Sequence, residues 1–258
     1  MTPRAPHARV SHAREPETGV RLYGVLSAGH GDPAPNHGAG ESVRRGAGRR
    51  IGTPAGLAAV ELLRVRDLVA AVAPAPFVEA APSAADLEAT HTVVATLFAE
   101  RAILPAPAGT LFRSRAAVAA WLELHAGALA EALRYVEDRV EARVHAERAV
   151  APALPGAPAA APLTEVLRAL RREAVALLVL RDEEREAAPA TAPPGAPEAD
   201  VGEAAAEPAA RAAFLVERAH WGVFAGAVAR EQDARPDLRL ALTGPWPPYD
   251  FVRLELGA

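Results

Sequence analysis

Cysteine and lysine are both absent from this 258-residue chain. Without cysteine there is no disulfide, no thiolate nucleophile and no Cys-based zinc site, a composition that suits a cytosolic protein. Without lysine there is no G-x-x-x-x-G-K-[ST] phosphate loop, and all 28 basic residues are arginine. Aromatics make up 5% of the chain and methionine occurs once, so alanine supplies much of the 50% apolar content. Isoleucine, asparagine and glutamine are also scarce, while Ala, Arg, Pro and Gly abound. Those are residues of GC-rich codons, so the arginine-only surface reads as a genomic bias and not as phosphate recognition. No apolar run approaches the roughly 18 residues of a membrane span. The N-terminus is polar, with no apolar h-region, so no secretory signal is expected. A net charge of −4 argues against a general binder of nucleic acid or anionic membranes.

Catalytic patterns are missing as well. The eight histidines include no H-E-x-x-H pair. His7, His12, His30 and His37 fall in expected tail or loop, and His91, His125, His145 and His220 on elements. His125 lies in an apolar helical stripe and reads as a boundary histidine. Gly46-Ala-Gly48 lacks the third glycine, the preceding strand and the following helix of a dinucleotide site. Ser42, Ser83 and Ser114 form no G-x-S-x-G elbow; Ser83 and Ser114 suit helix caps. Glu183, Glu184 and Glu186, interleaved with Arg181 and Arg185, read as a solvated face. Arg44, Arg45, Arg49 and Arg50 have no interleaved aromatics for stacking on bases. A binding or structural role gains by elimination.

What is present is an α+β pattern. Residues 1–19 have no period and read as a disordered tail. Arg21–Ser27 reads as a strand, followed by a polar, glycine-rich loop from Ala28 to about Gly56. Val60–Val65 and Leu68–Ala73 flank Arg66-Asp67 as a hairpin, with Pro74 and Pro76 ending the second strand. Ser83 caps a helix to about Arg101, with Leu87, Val94, Leu97 and Phe98 inward. Ile103–Phe112 is extended and broken by Pro and Gly. Ser114 caps a helix whose stripe runs continuously through Val118, Trp121, Leu122, His125, Leu129, Leu133 and Val136.

The period then changes. Across Arg139–His145, Val140, Ala142 and Val144 alternate with Arg139, Glu141, Arg143 and His145, as in a strand with one wet face. An Ala/Pro loop over 151–162 leads to a helix over 163–186, with Leu177 and Leu178 on its apolar side. The Ala/Pro/Glu/Gly stretch 187–210 reads as a flexible acidic insertion. A strand over Arg211–Glu217 and a helix over 219–233 follow, the helix with Trp221, Phe224, Ala227 and Val228 inward. The last strand starts at Leu238 and is expected to end where Gly244 and three prolines break the ladder. Trp246 and Tyr249 ride on that stiff exit, and two readings stay open: they fold back over the chain's own core, or they face a partner. The second half reads as β-α-β-α-β, a ferredoxin-like unit short of one strand. The expected division is a tail over 1–19, an N-terminal α+β domain over 20–137 and a ferredoxin-like domain over 138–256.

Several blocks carry a resemblance. They are Leu22-Tyr-Gly-Val-Leu26, Leu68-Val-Ala-Ala-Val-Ala-Pro74, Ile103-Leu-Pro105 with Gly109-Thr-Leu-Phe-Arg113, Phe214-Leu-Val-Glu-Arg218, and Leu242-Thr-Gly-Pro-Trp-Pro-Pro-Tyr-Asp-Phe251. In this order they resemble the gas vesicle GvpL/GvpF family over about 20–253. The last block is the most specific. Ala106-Pro-Ala108 departs from the bulky and basic residues usual there. The resemblance implies two α+β domains, the second a modified ferredoxin-like unit. It implies an accessory or minor structural protein of gas vesicles, within the cytoplasm. Its partners would be the major shell protein and other accessory proteins, with no enzymatic activity and no cofactor. The surfaces expected to meet a partner are Trp246, Tyr249 and Phe251 on the exit arm, and Arg139 and Arg143 on the alternating strand. The competing expectation is an enzyme on an α+β scaffold with no recognisable site.

Overall fold

The computed structural model describes residues 17–29, 32, 60–78, 81–148, 161–180, 210–252 and 254. The expected N-terminal tail up to residue 16, most of the glycine-rich loop, the Ala/Pro loop up to residue 160, residues 181–186 of the helix expected over 163–186 and the acidic insertion up to residue 209 lie outside the described residues.

The first half builds an antiparallel sheet. Its strands are β1 (Thr18–Ser27), β2 (Glu61–Val65), β3 (Leu68–Pro76), β4 (Ile103–Pro105) and β5 (Leu111–Phe112). The order is β2-β3-β1-β4, with β5 also on β1. β1 starts at Thr18, two residues inside the expected tail. The β2–β3 turn is Arg66-Asp67, as expected; Arg66 takes φ 55°, and its carbonyl accepts a 2.9 Å bond from Arg64 Nε. Pro74 and Pro76 do not end β3. They lie inside it, opposite Val20 and Thr18. Pairing with β2 reaches only Val72, so beyond it a missing N–H costs no ladder bond on that side.

Helix α1 (Ala84–Glu100) covers one face of this sheet. Ser83 caps it reciprocally: its hydroxyl accepts the Asp86 N–H, and the Asp86 carboxylate accepts the Ser83 N–H. Arg21 then ties Asp86 to β1 at 2.8 Å. Val93, Val94, Leu97 and Phe98 pack on Tyr23, Leu26, Val69, Ala71 and Ile103. The opposite face, with Leu22, Val25, Val65 and Val72, packs on Val118, Leu122, Leu129, Leu133 and Val136. Those five residues fall on the expected stripe, but on two helices: α2 (Arg115–Leu124) and α3 (Ala126–Val136). They meet at 79°, with His125 at φ −101°, ψ 10° between them. A period of 3–4 continues through such a bend because both helices bury the same side. The bend shows only in Leu124, 79% exposed at the corner.

The second half holds β6 (Arg139–Arg148), α4 (Ala161–Leu170), β7 (Ala176–Leu180), β8 (Ala210–Glu217), α5 (Trp221–Ala234) and β9 (Leu238–Trp246). This β-α-β-β-α-β order, with the antiparallel sheet β7-β8-β6-β9, is the complete ferredoxin-like arrangement. The strand expected to be missing is β7. The helix expected over 163–186 ends instead at Leu170, in a 3₁₀ turn over Arg171–Glu173. Leu177 and Leu178 then pair with Phe214 and Ala213. Ala174–Leu180 is a seven-residue apolar run, and periodicity does not separate a buried strand from a helix in so short a run. The inner face, with Val140, Ala142, Val144, Phe214 and Val216, packs on Leu163, Val166 and Leu170 of α4 and Phe224 and Val228 of α5. Phe214 and Phe224 sit with ring centroids 5.1 Å apart. This core is continuous with the α1 side of the first sheet.

β9 does not stop at Gly244. An extra residue bulges out between the Arg143↔Thr243 and Glu141↔Trp246 pairs, and pairing resumes at Trp246. Gly244 makes this possible. It holds φ +129°, and a Cβ there would lie 2.8 Å from the Glu141 carbonyl oxygen.

Candidate functional site

The alternating pattern of β6 places Glu141 and Arg143 on one face, opposite the core. That face is not wet at Glu141, which is fully buried. After Trp246 the chain turns back through Pro247 and Pro248, both buried, and lays Tyr249 and Asp250 over it. The Asp250 N–H donates to Glu141 Oε2 at 2.8 Å. Arg143 Nε donates to Glu141 Oε1 at 2.7 Å and to Asp250 Oδ2 at 2.9 Å. One arginine thus bridges two carboxylates, one from the sheet and one from the arm.

Helix α1 closes the other side. His91 Nδ1 and the Tyr249 hydroxyl are 2.9 Å apart, and the Trp246 ring meets the His91 ring edge-on at 5.6 Å. Trp246 Nε1 donates to the Thr243 hydroxyl at 3.2 Å. Further along α1, Arg218 stacks its guanidinium 4.6 Å over Phe98. Beyond Asp250, Val252 and Leu254 pack against the cluster formed by α2, α3 and the first sheet. The arm begins in one sheet and ends against the core between the other sheet and its helices.

Burial dominates the electrostatics. It pushes the Glu141 carboxyl up to about 8, and the Asp250 charge adds to the push. The Arg143 guanidinium is desolvated too, yet Glu141 and Asp250 hold it charged and raise its value. Burial, aided by Arg143, pulls the His91 imidazole below its ordinary value. Burial also raises the Tyr249 phenol, with Glu141 adding to it. Tyr249 therefore keeps its proton and can donate it to His91 Nδ1, which requires the Nε2–H tautomer of the ring. A carboxyl near pH 8 resembles a catalytic acid, but Glu141 has no exposed surface to offer a substrate. What it can do is hold or release one proton under the arm.

The structure brings three of the five expected residues together: Trp246, Tyr249 and Arg143. Phe251 follows directly and is half-buried. Arg139 stands apart, at the α3–β6 corner. Its Nη1 donates to the Tyr135 carbonyl, and its guanidinium lies 5.1 Å over the Tyr135 ring. Of the two readings of the arm, Tyr249 follows the first and lies buried in the chain's own core. Glu141, Asp250 and His91 complete the cluster and were not singled out from sequence. The only sequence signal for them is that Glu141 and Arg143 share a strand face and that Asp250 sits inside the Pro-Pro-Tyr-Asp-Phe block. Among the described residues no group of three or more His, Asp or Glu side chains is placed to hold a metal ion.

The arm that organises this cluster is the block on which the family resemblance rests most heavily. The sequence matches the family described as gas vesicle synthesis protein GvpL/GvpF over residues 19–253. The chain belongs to the GvpL/GvpF family. Its fold is similar to the crystal structure of the gas vesicle protein GvpF from Anabaena sp., with TM-score 0.64 and 13% identity, covering 93% of this chain and 100% of that one. It is similar also to GvpF from Microcystis aeruginosa, with TM-score 0.62 and 14% identity, covering 92% and 99%. No curated protein sequence matches the chain. At these identities the structural likeness speaks for the fold, and family membership for a gas vesicle protein.

Proposed function

We propose that this GvpL/GvpF family member is a non-catalytic assembly factor or minor component of gas vesicles, acting in the cytoplasm by binding the major shell protein and other accessory proteins. The observation that carries this reading is the family match across residues 19–253, which includes the folded arm. A sparingly soluble shell subunit needs a surface that shields its apolar segments before assembly, and strand edges and apolar faces supply such surfaces.

The five residues flagged in the sequence divide their work in this proposal. Trp246, Phe251 and Arg139 keep partial exposure and contact the partner. Tyr249 and Arg143 hold the arm in place beneath them. The test is co-expression of the affinity-tagged full chain with the major shell protein of its host. Recovery of the shell protein with the tag is expected. A folded, tagged chain that recovers none overturns the proposal. Trp246→Ala together with Tyr249→Ala is expected to reduce recovery while the far-UV circular dichroism of the chain is kept; unchanged recovery makes the arm a purely internal brace.

A further inference from the structure

Strand edges offer unpaired N–H and C=O groups, and proteins block the edges they do not use. Three of the four sheet edges here are blocked. On β9, Gln232 of α5 covers the outer backbone: its Nε2 donates to the Leu238 carbonyl and its Oε1 accepts the Leu240 N–H, at 2.7 and 2.6 Å. Arg239, Pro245 and the bulge break the rest of that edge. On the first sheet β4 has three residues and ends in Pro105. β2 carries Glu61, paired to Arg115 at 2.6 Å, and Arg64.

Among the described residues β7 has none of these devices. Ala176-Leu-Leu-Val-Leu180 contains no charge and no proline. Among the described residues β7 pairs only with β8, and no side chain hydrogen-bonds its backbone. Its side chains are apolar on both faces. Leu177 and Val179 lie on the side of their partners Phe214 and Ala212, and Leu178 and Leu180 on the other. Val179 is 52% exposed. Such a strand presents both a hydrogen-bonding edge and apolar shoulders above and below it.

We propose that the outer edge of β7 is a docking edge that takes an uncharged, extended strand from a partner protein, adding a fifth strand to the second sheet. The occupant carries apolar side chains on both faces over about five residues, because β7 offers apolar neighbours on both. Beyond the end lying beside Ala176 it meets Arg171, Arg172 and Glu173, all exposed, whose net positive charge favours an acidic residue on the occupant there. The Arg139–His145 strand is no such edge, since β6 is paired on both sides, with β8 and β9. The inference rests on the reading that this chain binds the apolar shell subunit, and adds the β7 edge to the arm as a place where that binding occurs.

The test uses the tagged full chain co-expressed with the major shell protein, in wild type, Val179→Lys and Val179→Thr forms. A lysine on an edge strand opposes added pairing, whereas threonine keeps the β-branched shape. The expected result is at least a tenfold loss of captured shell protein with Val179→Lys, little loss with Val179→Thr, and unchanged melting temperatures. Hydrogen exchange on the wild-type complex provides an independent reading that needs no variant to fold. Amides of residues 176–180 are expected to gain protection on binding. Equal capture by Val179→Lys, or no gained protection at 176–180, overturns the docking edge while leaving shell binding in place. A wild-type dimer that Val179→Lys converts to a monomer, with capture intact, overturns it in favour of a second copy of the chain on β7. Failure of the wild type to capture any shell protein removes the parent reading, and the docking edge with it.

Discussion

Glu141 is the residue whose environment departs furthest from what its neighbours in sequence suggest. Burial, with the Asp250 charge adding to it, raises its carboxyl to about 8, so the folded chain holds a proton there that the unfolded chain releases near the ordinary glutamate value of about 4.3. The sign follows. Between those two values the folded state binds more protons than the unfolded, so stability falls as pH rises across that window, by at most about 1.4 kcal/mol per pH unit. Urea unfolding from pH 5 to 9 is expected to show this decline. Glu141→Gln is expected to flatten it; a slope unchanged in the variant assigns the proton elsewhere. Gly244 makes a sharper residue-level case. With φ +129° and a backbone oxygen 2.8 Å from any Cβ, Gly244→Ala is expected to cost about 1–3 kcal/mol. Gly127, within α3, is the contrast: a Cβ there meets nothing within 4 Å, and Gly127→Ala is expected to stabilise the chain by about 0.5–1 kcal/mol. Equilibrium denaturation of the two variants checks both signs.

At the scale of elements, the strands and helices with a clear local signal were legible. Ser83 and Ser114 announce α1 and α2 because a short hydroxyl side chain before an apolar period satisfies orphan amides. Ser83→Ala is expected to cost about 1 kcal/mol, read from the thermal unfolding of the full chain. The alternation of Val140, Ala142 and Val144 gave β6 and its buried face. Three features were not legible, each because a distant contact decides it. β7 is a strand because β8 pairs with it. α2 and α3 are separate because both must lie on one sheet face, and His125 turns the chain between them. β9 continues past two strand breakers because a bulge and Gly244 let Trp246 return opposite Glu141. The arm was legible as an unusual stretch that carries a tryptophan and a tyrosine. That Glu141 would lie beneath it, dry, was not, since an alternating Arg/Glu face looks the same whether water or another segment covers it.

Across the whole molecule the arm is the tie. It leaves the second sheet at Trp246, meets α1 through Tyr249 and His91, and reaches the cluster of the first sheet, α2 and α3 with Val252 and Leu254. Removal of residues 247–258 would uncover Glu141 and Arg143, so the truncated chain is expected to melt well below the full chain; equal melting temperatures would make the arm dispensable to folding. The passage from the first sheet to the second falls between Val136 and Arg139, where the sequence pattern leads to an expected boundary between units over 20–137 and 138–256. We propose that these two units fold as partners, since one apolar cluster draws on both sheets. β7 and β9 are opposite edges of the second sheet, so a strand added at β7 does not cover the arm beside β9. The central claim, a role in gas vesicle assembly, is tested most directly by removing this chain from a host that forms gas vesicles and counting vesicles by electron microscopy, with shell-protein levels measured in parallel. The expected result is few or no vesicles with the shell protein still made, and recovery when the wild-type chain is restored. Normal vesicle numbers without the chain would contradict it.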